Sequence, residues 1–471
     1  MTRNTVIEKY LAKYAEHLAS SLAGFPHNRM FERCVVIPVY DESPAFIERM
    51  QAPAPPNTLF ITVLNCPQSC TEEQRLSTQQ SRQYLRDQGH VMWTSQRHDA
   101  LQLIQTQAKE KAQHRYYWLV WDITEWCIDA ALDPIAHHTP LPGFLHGVGY
   151  ARKLGMDTAL QLLYQQQISD PFLLSTDADA ILPEGYFDAI NSPSPLAGYI
   201  FPFQHRPLST EFANGSVESQ IYELSLRYYV MGLRWANCPW AFHTIGSTFA
   251  IHGHHYAANR GFPKREAGED FYLLNKVAKT GSLLCLQSPT ISLSDRASHR
   301  VPFGTGPAIE RLTRMEDKAG EFMFYHPTCF VWLQEWMSCI SALFSDDLTT
   351  TLETRSDNAE ELTIILNLIG IQKAINHSRK QSKSATDFVR HMLTWFDAFR
   401  TLKFIHTARD HFLPSVTLGD WINSIYSGAH PFVPSTSEAL HTSSLASKTS
   451  TLLTHIRTLE HKNLPYTCSI K

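Results

Sequence analysis

The 471-residue chain is short of charge: Lys, Arg, Asp and Glu make up 18% of it, against roughly 25% in an ordinary soluble protein. Its 41 basic and 45 acidic residues leave a formal net charge of −4. That balance excludes a general nucleic-acid binder, which needs a basic face to neutralise phosphates. Long apolar runs are missing too, so no bilayer-spanning helix is expected. The nearest candidate, Phe330–Phe344, is interrupted by Gln334 and Glu335 and reads as a buried helix. The nine cysteines include no CxxC pair and no repeated spacing, with Cys66 and Cys70 the closest two. Neither a disulfide framework nor a structural zinc site is expected, and a reducing compartment fits best. Residues 1–10 carry charges and lack the apolar core of a signal peptide. These absences predict a soluble, cytoplasmic protein without nucleic acid as a partner; peripheral contact with a membrane stays open. No GxGxxG follows the first predicted strand, which disfavours a dinucleotide-dependent dehydrogenase.

Apolar residues, in contrast, are plentiful at 43%, enough to bury a large core. Helical spacing of Val6, Ile7, Tyr10, Leu11, Tyr14, Leu18 and Leu22 predicts one amphipathic helix over residues 4–23. Two continuous apolar runs, Cys34–Tyr40 and Leu59–Leu64, suit strands covered on both faces of a mostly parallel sheet. Residues 71–112, rich in Gln and charge, read as surface helices around a short strand near His90–Trp93. Further strands are expected at 116–122, 171–176, 200–203, 247–251, 283–286 and 291–293. Strands alternating with helices predict an open α/β sheet flanked by helices. Beyond Glu321 the pattern turns helical, over 330–344, 359–376, 385–412 and 418–426. The expected organisation is an N-terminal helix (1–30), an α/β domain (31–325), a helical C-terminal domain (326–430) and a Ser/Thr-rich tail (431–471) that holds a helix around 452–459.

The segment richest in chemistry is Phe172-Leu-Leu-Ser-Thr-Asp177-Ala-Asp179. A strand runs into two carboxylates, and ligands gather at the carboxyl ends of strands in open α/β sheets. Paired carboxylates there can hold a divalent cation through oxygen; a plain polar turn is the competing explanation. Further on, Gly268-Glu269-Asp270 opens a predicted helix. A carboxylate so placed can accept a proton from an acceptor hydroxyl, or merely complement the helix dipole. Asp295–Gly306 is polar, cationic and Gly-containing, and Arg296 and Arg300 could close over a diphosphate.

Four segments in order, Ile37-Pro38-Val-Tyr40-Asp-Glu42, Gly147-Val-Gly-Tyr-Ala151-Arg152-Lys153-Leu-Gly155, Asp177-Ala-Asp179 and Gly268-Glu269-Asp270, resemble the family 2 glycosyltransferases of GT-A fold. The resemblance covers about residues 33–310. It implies a GT-A-type sheet and a non-processive, inverting, hexosyltransferase-type reaction, using a nucleotide-sugar donor, a hydroxyl acceptor and a divalent cation (Mn2+ or Mg2+). It further implies that Pro38, Tyr40, Glu42 and Asn65 line the nucleotide pocket. Arg152 would approach the donor phosphates or brace the acidic loop. Asp177 would bind donor and metal, Asp179 the metal directly, and His299 would be a third ligand. Asp270 would be the base, with Glu269 beside it, and Trp240 would face the acceptor. The sequence departs from the family at Asn65, where Asp is usual, and at Lys153, where Asn is usual; the Gln-x-x-Arg-Trp motif of processive members is absent. A sugar-phosphate nucleotidylyltransferase, or a catalytically inactive GT-A-fold binding protein, is the alternative.

Overall fold

The structure, a computed structural model, describes residues 3–26, 30–67, 69–97, 99–107, 114–127, 147–191, 195–207, 215–265, 267–297, 304–436 and 444–470. Along the chain come α1 (Arg3–Lys13), β1 (Cys34–Val39), α2 (Phe46–Gln51), β2 (Leu59–Leu64), α3 (Glu72–Gln88), β3 (Gly89–Thr94), β4 (Leu101–Gln107) and β5 (Arg115–Asp122). Next are α4 (Val148–Tyr164), β6 (Phe172–Ser175), β7 (Gly198–Ile200), β8 (Phe203–Arg206), α5 (Val217–Trp235), β9 (Phe249–His252), α6 (Gly253–Ala258), α7 (Glu269–Thr280), β10 (Leu283–Cys285) and β11 (Ile291–Ser294). The remainder is mostly helical: α8 (Thr305–Thr313), α9 (Lys318–Glu321), β12 (Met323–Phe324), α10 (Thr328–Cys339), α11 (Leu348–Arg355), α12 (Ala359–Leu368), α13 (Ile371–Gln381), α14 (Ala385–Trp395), α15 (Ala398–His411), β13 (Val416–Thr417), α16 (Leu418–Tyr426), α17 (Leu445–Lys462) and β14 (Tyr466–Cys468). The described residues form two compact units. The first takes residues 1–204 and 244–294; the second takes 205–243, 295–299 and 304–471.

In the first unit nine strands lie in the order β10-β7-β9-β6-β1-β2-β5-β4-β3. The centre, β6-β1-β2-β5, is parallel. The flanking pairs β6/β9, β7/β9, β4/β5 and β3/β4 are antiparallel, so the sheet is mixed. Val35, Val36, Ile37 and every residue of β2 are buried, as the unbroken apolar runs require of strands covered on both faces. Each such side chain contributes about 1.5–3 kcal/mol on burial. α4 lies close against the middle of the sheet. A Cβ on Gly155 would fall 2.4 Å from Val36 Cγ1.

Several elements differ from expectation for identifiable reasons. The N-terminal helix stops at Lys13, and a short 3-10 turn, His17–Ser20, follows. The backbone groups between them find tertiary partners instead. The Tyr14 carbonyl accepts from Lys153 Nζ at 3.0 Å, and Glu16 N–H donates to Asp157 Oδ2 at 2.8 Å. β4 was hidden by glutamines. Gln102 is buried because its Oε1 accepts from Arg86 Nε at 3.0 Å. The expected helix over 359–376 breaks at Gly370, whose φ of 86° is left-handed. That over 385–412 breaks at Asp397, whose side chain caps α15 by accepting from Arg400 N–H. The helix expected around 452–459 runs from Leu445 to Lys462.

The second unit is helical around a small antiparallel β12/β13 pair. Gly232 of α5 lets Phe330 close in, since a Cβ there would lie 2.4 Å from Phe330 Cδ1. Its interior holds an ion cluster on Glu223, which accepts from Arg227 Nε at 2.8 Å and Arg457 Nε at 2.7 Å. Those cations hold the Glu223 carboxyl well below its usual range although burial works the other way. Among the described residues no helix is long and apolar enough to cross a membrane.

The α4–sheet contact yields a test. Gly155→Ala should destabilise the protein by about 1–3 kcal/mol, because the added methyl meets a stiff β-branched side chain in a packed core. Urea unfolding monitored by circular dichroism measures it. An unchanged midpoint would mean that α4 does not press on Val36.

Candidate functional site

The site begins where the parallel strands end. β1 is flanked by β2 and β6 in register Val36↔Ile61 and Val36↔Ser175. The segments after all three strands therefore emerge along one sheet edge. After β1 come Tyr40, partly exposed, and Glu42, buried. Asp41 between them has φ 51° and donates its N–H to Thr78 Oγ1. Pairing with β6 ends at Val36, two residues short of Pro38, a residue with no N–H to give. After β2, buried Asn65 reaches the start of α4, its Nδ2 lying 3.4 Å from the Gly147 carbonyl. After β6 the chain turns through Asp177 and Asp179, closed by Ala180 N–H to Asp177 O and by Arg49 Nη2 to Ala178 O, each 3.0 Å. The intervening Ala178 and Ala180 are buried, while both acids keep partial exposure.

Arg152 ties this loop to α7. The side chain is buried on α4 and spends its donors on four partners. Nε donates to Glu269 Oε1 at 3.0 Å, and Nη1 to Ser175 Oγ at 2.9 Å and Gly246 O at 3.1 Å. Nη2 donates to Asp177 Oδ1 at 2.5 Å. Ser175 Oγ also donates to Gly246 O at 2.9 Å. Gly246 must lack a side chain, because a Cβ would fall 2.6 Å from Arg152 Nη2. Burial works to lower the guanidinium's affinity for its proton, but Asp177, Glu269 and Asp270 outweigh it.

Gly268, with φ 71°, turns the chain so that α7 starts directly with the two acids. Glu269 is buried, and desolvation pushes its carboxyl up against the opposing pull of Arg152. Asp270 accepts from Phe271 N–H at 2.7 Å. Burial first, then the Glu269 charge, push its carboxyl up to about 7, with Arg152 acting the other way. One guanidinium thus faces three carboxylates, and the Asp270 carboxyl is left near 7. The ordinary value is 3.8, so between about 4 and 7 the folded state holds a proton that the unfolded chain has released. Asp270 therefore costs stability as pH rises through that window.

The structure brings Arg152, Asp177, Glu269 and Asp270 into one cluster and sets Asp179, Pro38, Tyr40, Glu42 and Asn65 at neighbouring strand ends. It does not do so for every expected residue. Arg296 is exposed and belongs to the second unit; His299 and Arg300 lie outside the described residues. Trp240, expected to present its ring to an acceptor, is corrected: it is 2% exposed, and its Nε1 donates to the Phe396 carbonyl at 2.7 Å. That is packing within the second unit. His252 caps α6 by accepting from His254 N–H. Ser175 and Gly246 were missed as partners of Arg152. A serine closing a strand carries no signal, whereas the spacing Lys153 to Asp157 could have betrayed a second buried cluster. There Lys153 Nζ meets Asp157 Oδ2 at 2.9 Å, and the Tyr10 and Tyr256 hydroxyls donate to Asp157 Oδ1 at 2.6 and 2.8 Å.

For a divalent cation, the donor set fits in kind: Asp177 and Asp179 offer carboxylate oxygens, two residues apart on a partly exposed turn. Among the described residues no group of three or more His, Cys, Asp and Glu could hold a metal, so donor oxygens or water would have to complete the coordination. Compared with known proteins, the chain matches no family model and no curated protein.

Removing the guanidinium tests the cluster. Arg152→Met should cost about 3–5 kcal/mol at pH 8, because it leaves buried carboxylates unpaired. The loss should shrink at pH 5, below the value of about 7 to which the Asp270 carboxyl is pushed. Urea midpoints at the two pH values measure this; an equal loss at both would mean that Arg152 contributes by packing alone.

Proposed function

We propose that the first unit is a metal-dependent glycosyltransferase of GT-A type, moving a sugar from a nucleoside-diphosphate donor to an acceptor hydroxyl. The observation that carries the reading is Arg152, which joins the acidic loop at the carboxyl end of β6 to the acid pair that opens α7. A loop that receives the donor and a helix that activates the acceptor need such a fixed relation, since misplacement by about 1 Å costs ~10²-fold in rate.

The residues divide the work as follows. Asp179 and Asp177 would hold a divalent cation (Mn2+ or Mg2+), which when bound neutralises charge on the departing diphosphate. Pro38, Tyr40, Glu42 and Asn65 border the nucleotide. Asp270, with its carboxyl near 7, is the proton acceptor. As the acceptor oxygen forms its bond to the anomeric carbon, the hydroxyl proton passes to Asp270 Oδ. The anomeric carbon–phosphate oxygen bond breaks, and its electron pair leaves with the diphosphate. Glu269 stays bound to Arg152 and keeps the guanidinium in place. Attack on the face opposite the leaving group gives inversion. The nucleotidylyltransferase reading is weaker, because a phosphate-cradling loop exposes backbone N–H groups. Here the turn after β1 is acidic and commits the Asp41 N–H to Thr78.

Two measurements test the reading. Asp270→Asn should lower acceptor-dependent turnover by ~10²–10⁴-fold and leave the donor dissociation constant within about threefold. In the wild type, turnover should rise with pH through about 7 as the carboxyl loses its proton. Turnover within about threefold of wild type would remove Asp270 from the base's role.

Separately, UDP or GDP should raise the melting temperature only with Mn2+ or Mg2+ present, and Asp179→Ala should abolish that rise. The same shift in EDTA would overturn the cation's part.

A further inference from the structure

The outer face of α7 carries a charge distribution that the proposed chemistry does not use. Tyr272, Lys276 and Lys279 stand at i, i+4 and i+7 and so share one side of the helix. Arg265, exposed in the loop before α7, stacks its guanidinium on the Tyr272 ring at 3.7 Å. Arg260, exposed at the end of α6, adds a cation beside the exposed ring of Tyr14, 4.8 Å from its centroid. Tyr14 is 37% exposed. Nearby, Glu16 pairs with Lys264 at 2.8 Å. Lys276 is lowered from its ordinary value by desolvation and then by Arg260, Lys279 and Arg265, and Lys279 lies one turn away on the same side of the helix. Such crowding is unfavourable in the free protein and is relieved when anions approach.

The chain as a whole has a net charge of −4. A long polyanion would be attracted at this patch and repelled beyond it. A fluid bilayer has no such conflict, because anionic headgroups diffuse laterally to the cations they meet. An exposed tyrosine, apolar in body and polar at its tip, suits the headgroup level.

We propose that the face formed by Arg260, Arg265, Lys276, Lys279 and Tyr14 docks the first unit onto an anionic bilayer surface. Glu269, at the start of the same helix, is buried beneath this surface.

Vesicle sedimentation of the full chain tests it. Binding is expected to vesicles of phosphatidylcholine containing about 30% phosphatidylserine, and to be lost in about 0.5 M salt, where the Debye length falls to a few ångströms. Pure phosphatidylcholine should bind little. The double variant Arg265→Gln, Lys276→Gln should weaken the partition coefficient by about thirtyfold, at ~1 kcal/mol for each charge near the surface, with an unchanged circular-dichroism spectrum. Glutamine suits the exposed helical site at 276, and Arg265 lies in an exposed loop, so the variant is expected to fold. Equal binding to both vesicle types, no binding to the anionic ones at about 50 mM salt, or undiminished binding by the variant would overturn the proposal. So would tighter binding to single-stranded RNA than to anionic vesicles.

Discussion

A buried guanidinium cannot shed its charge, and at Arg152 that constraint organises the first unit. Arginine stays protonated in proteins, so its surroundings must supply anions and acceptors in a fixed planar pattern. Strand β6 supplies Ser175, the following loop Asp177, the start of α7 Glu269, and the segment before β9 the Gly246 carbonyl. Three separate stretches of chain are therefore held to one group. The constraint acts on residue type as well: at 246 a side chain is excluded by distance, and at 175 a hydroxyl bridges Nη1 and the Gly246 carbonyl. A lysine in place of Arg152 would offer three donors from a point and could not hold this planar set.

The adjacent residue fixes the same helix from another direction. Lys153 donates to the Tyr10 hydroxyl, the Tyr14 carbonyl and Asp157 Oδ2. Asp157 in turn receives four donors, two at each oxygen: Tyr10 and Tyr256 at Oδ1, Lys153 and Glu16 N–H at Oδ2. Both oxygens are thus satisfied although the side chain is wholly buried. Successive residues on a helix point about 100° apart. Arg152 faces the strand ends while Lys153 faces the N-terminal segment, and α4 is pinned on both sides. Residues 3–20 thus belong to the scaffold of the site and are not an appended helix.

How much of this the sequence discloses depends on the range of the interaction involved. β1, β2 and β5 were legible because burial on both faces leaves an unbroken apolar run, a local signature. The acids at 177, 179, 269 and 270 were legible because they follow a strand or open a helix after glycine. What escaped depended on distant partners. The helix over 4–23 stops at Lys13 because Asp157 and Lys153 take up the backbone groups that follow. β4 escaped because Gln102 is buried against arginines of α3. Trp240 looked like an exposed stacking surface, since no local rule reveals a carbonyl 156 residues away waiting for its N–H. Resemblance supplied the order of motifs, while geometry supplies which acid the arginine holds.

The charge count at the cluster carries the last step. Asp177 lies on the loop assigned to the donor, yet its negative charge helps to raise both Glu269 and Asp270. Arg152 acts on those same two acids in the opposite sense. Whatever offsets the charge of Asp177 must therefore ease the release of the proton from Asp270, with no movement of the backbone. The acidic loop and the acid pair that opens α7 are, through one guanidinium, a single electrostatic object. Coupling of this kind needs only contiguous charges in a low-dielectric setting. It makes the ionisation of the acid responsive to the charge on the loop, which is the order of events the proposed transfer requires if water is not to be activated before a donor is in place.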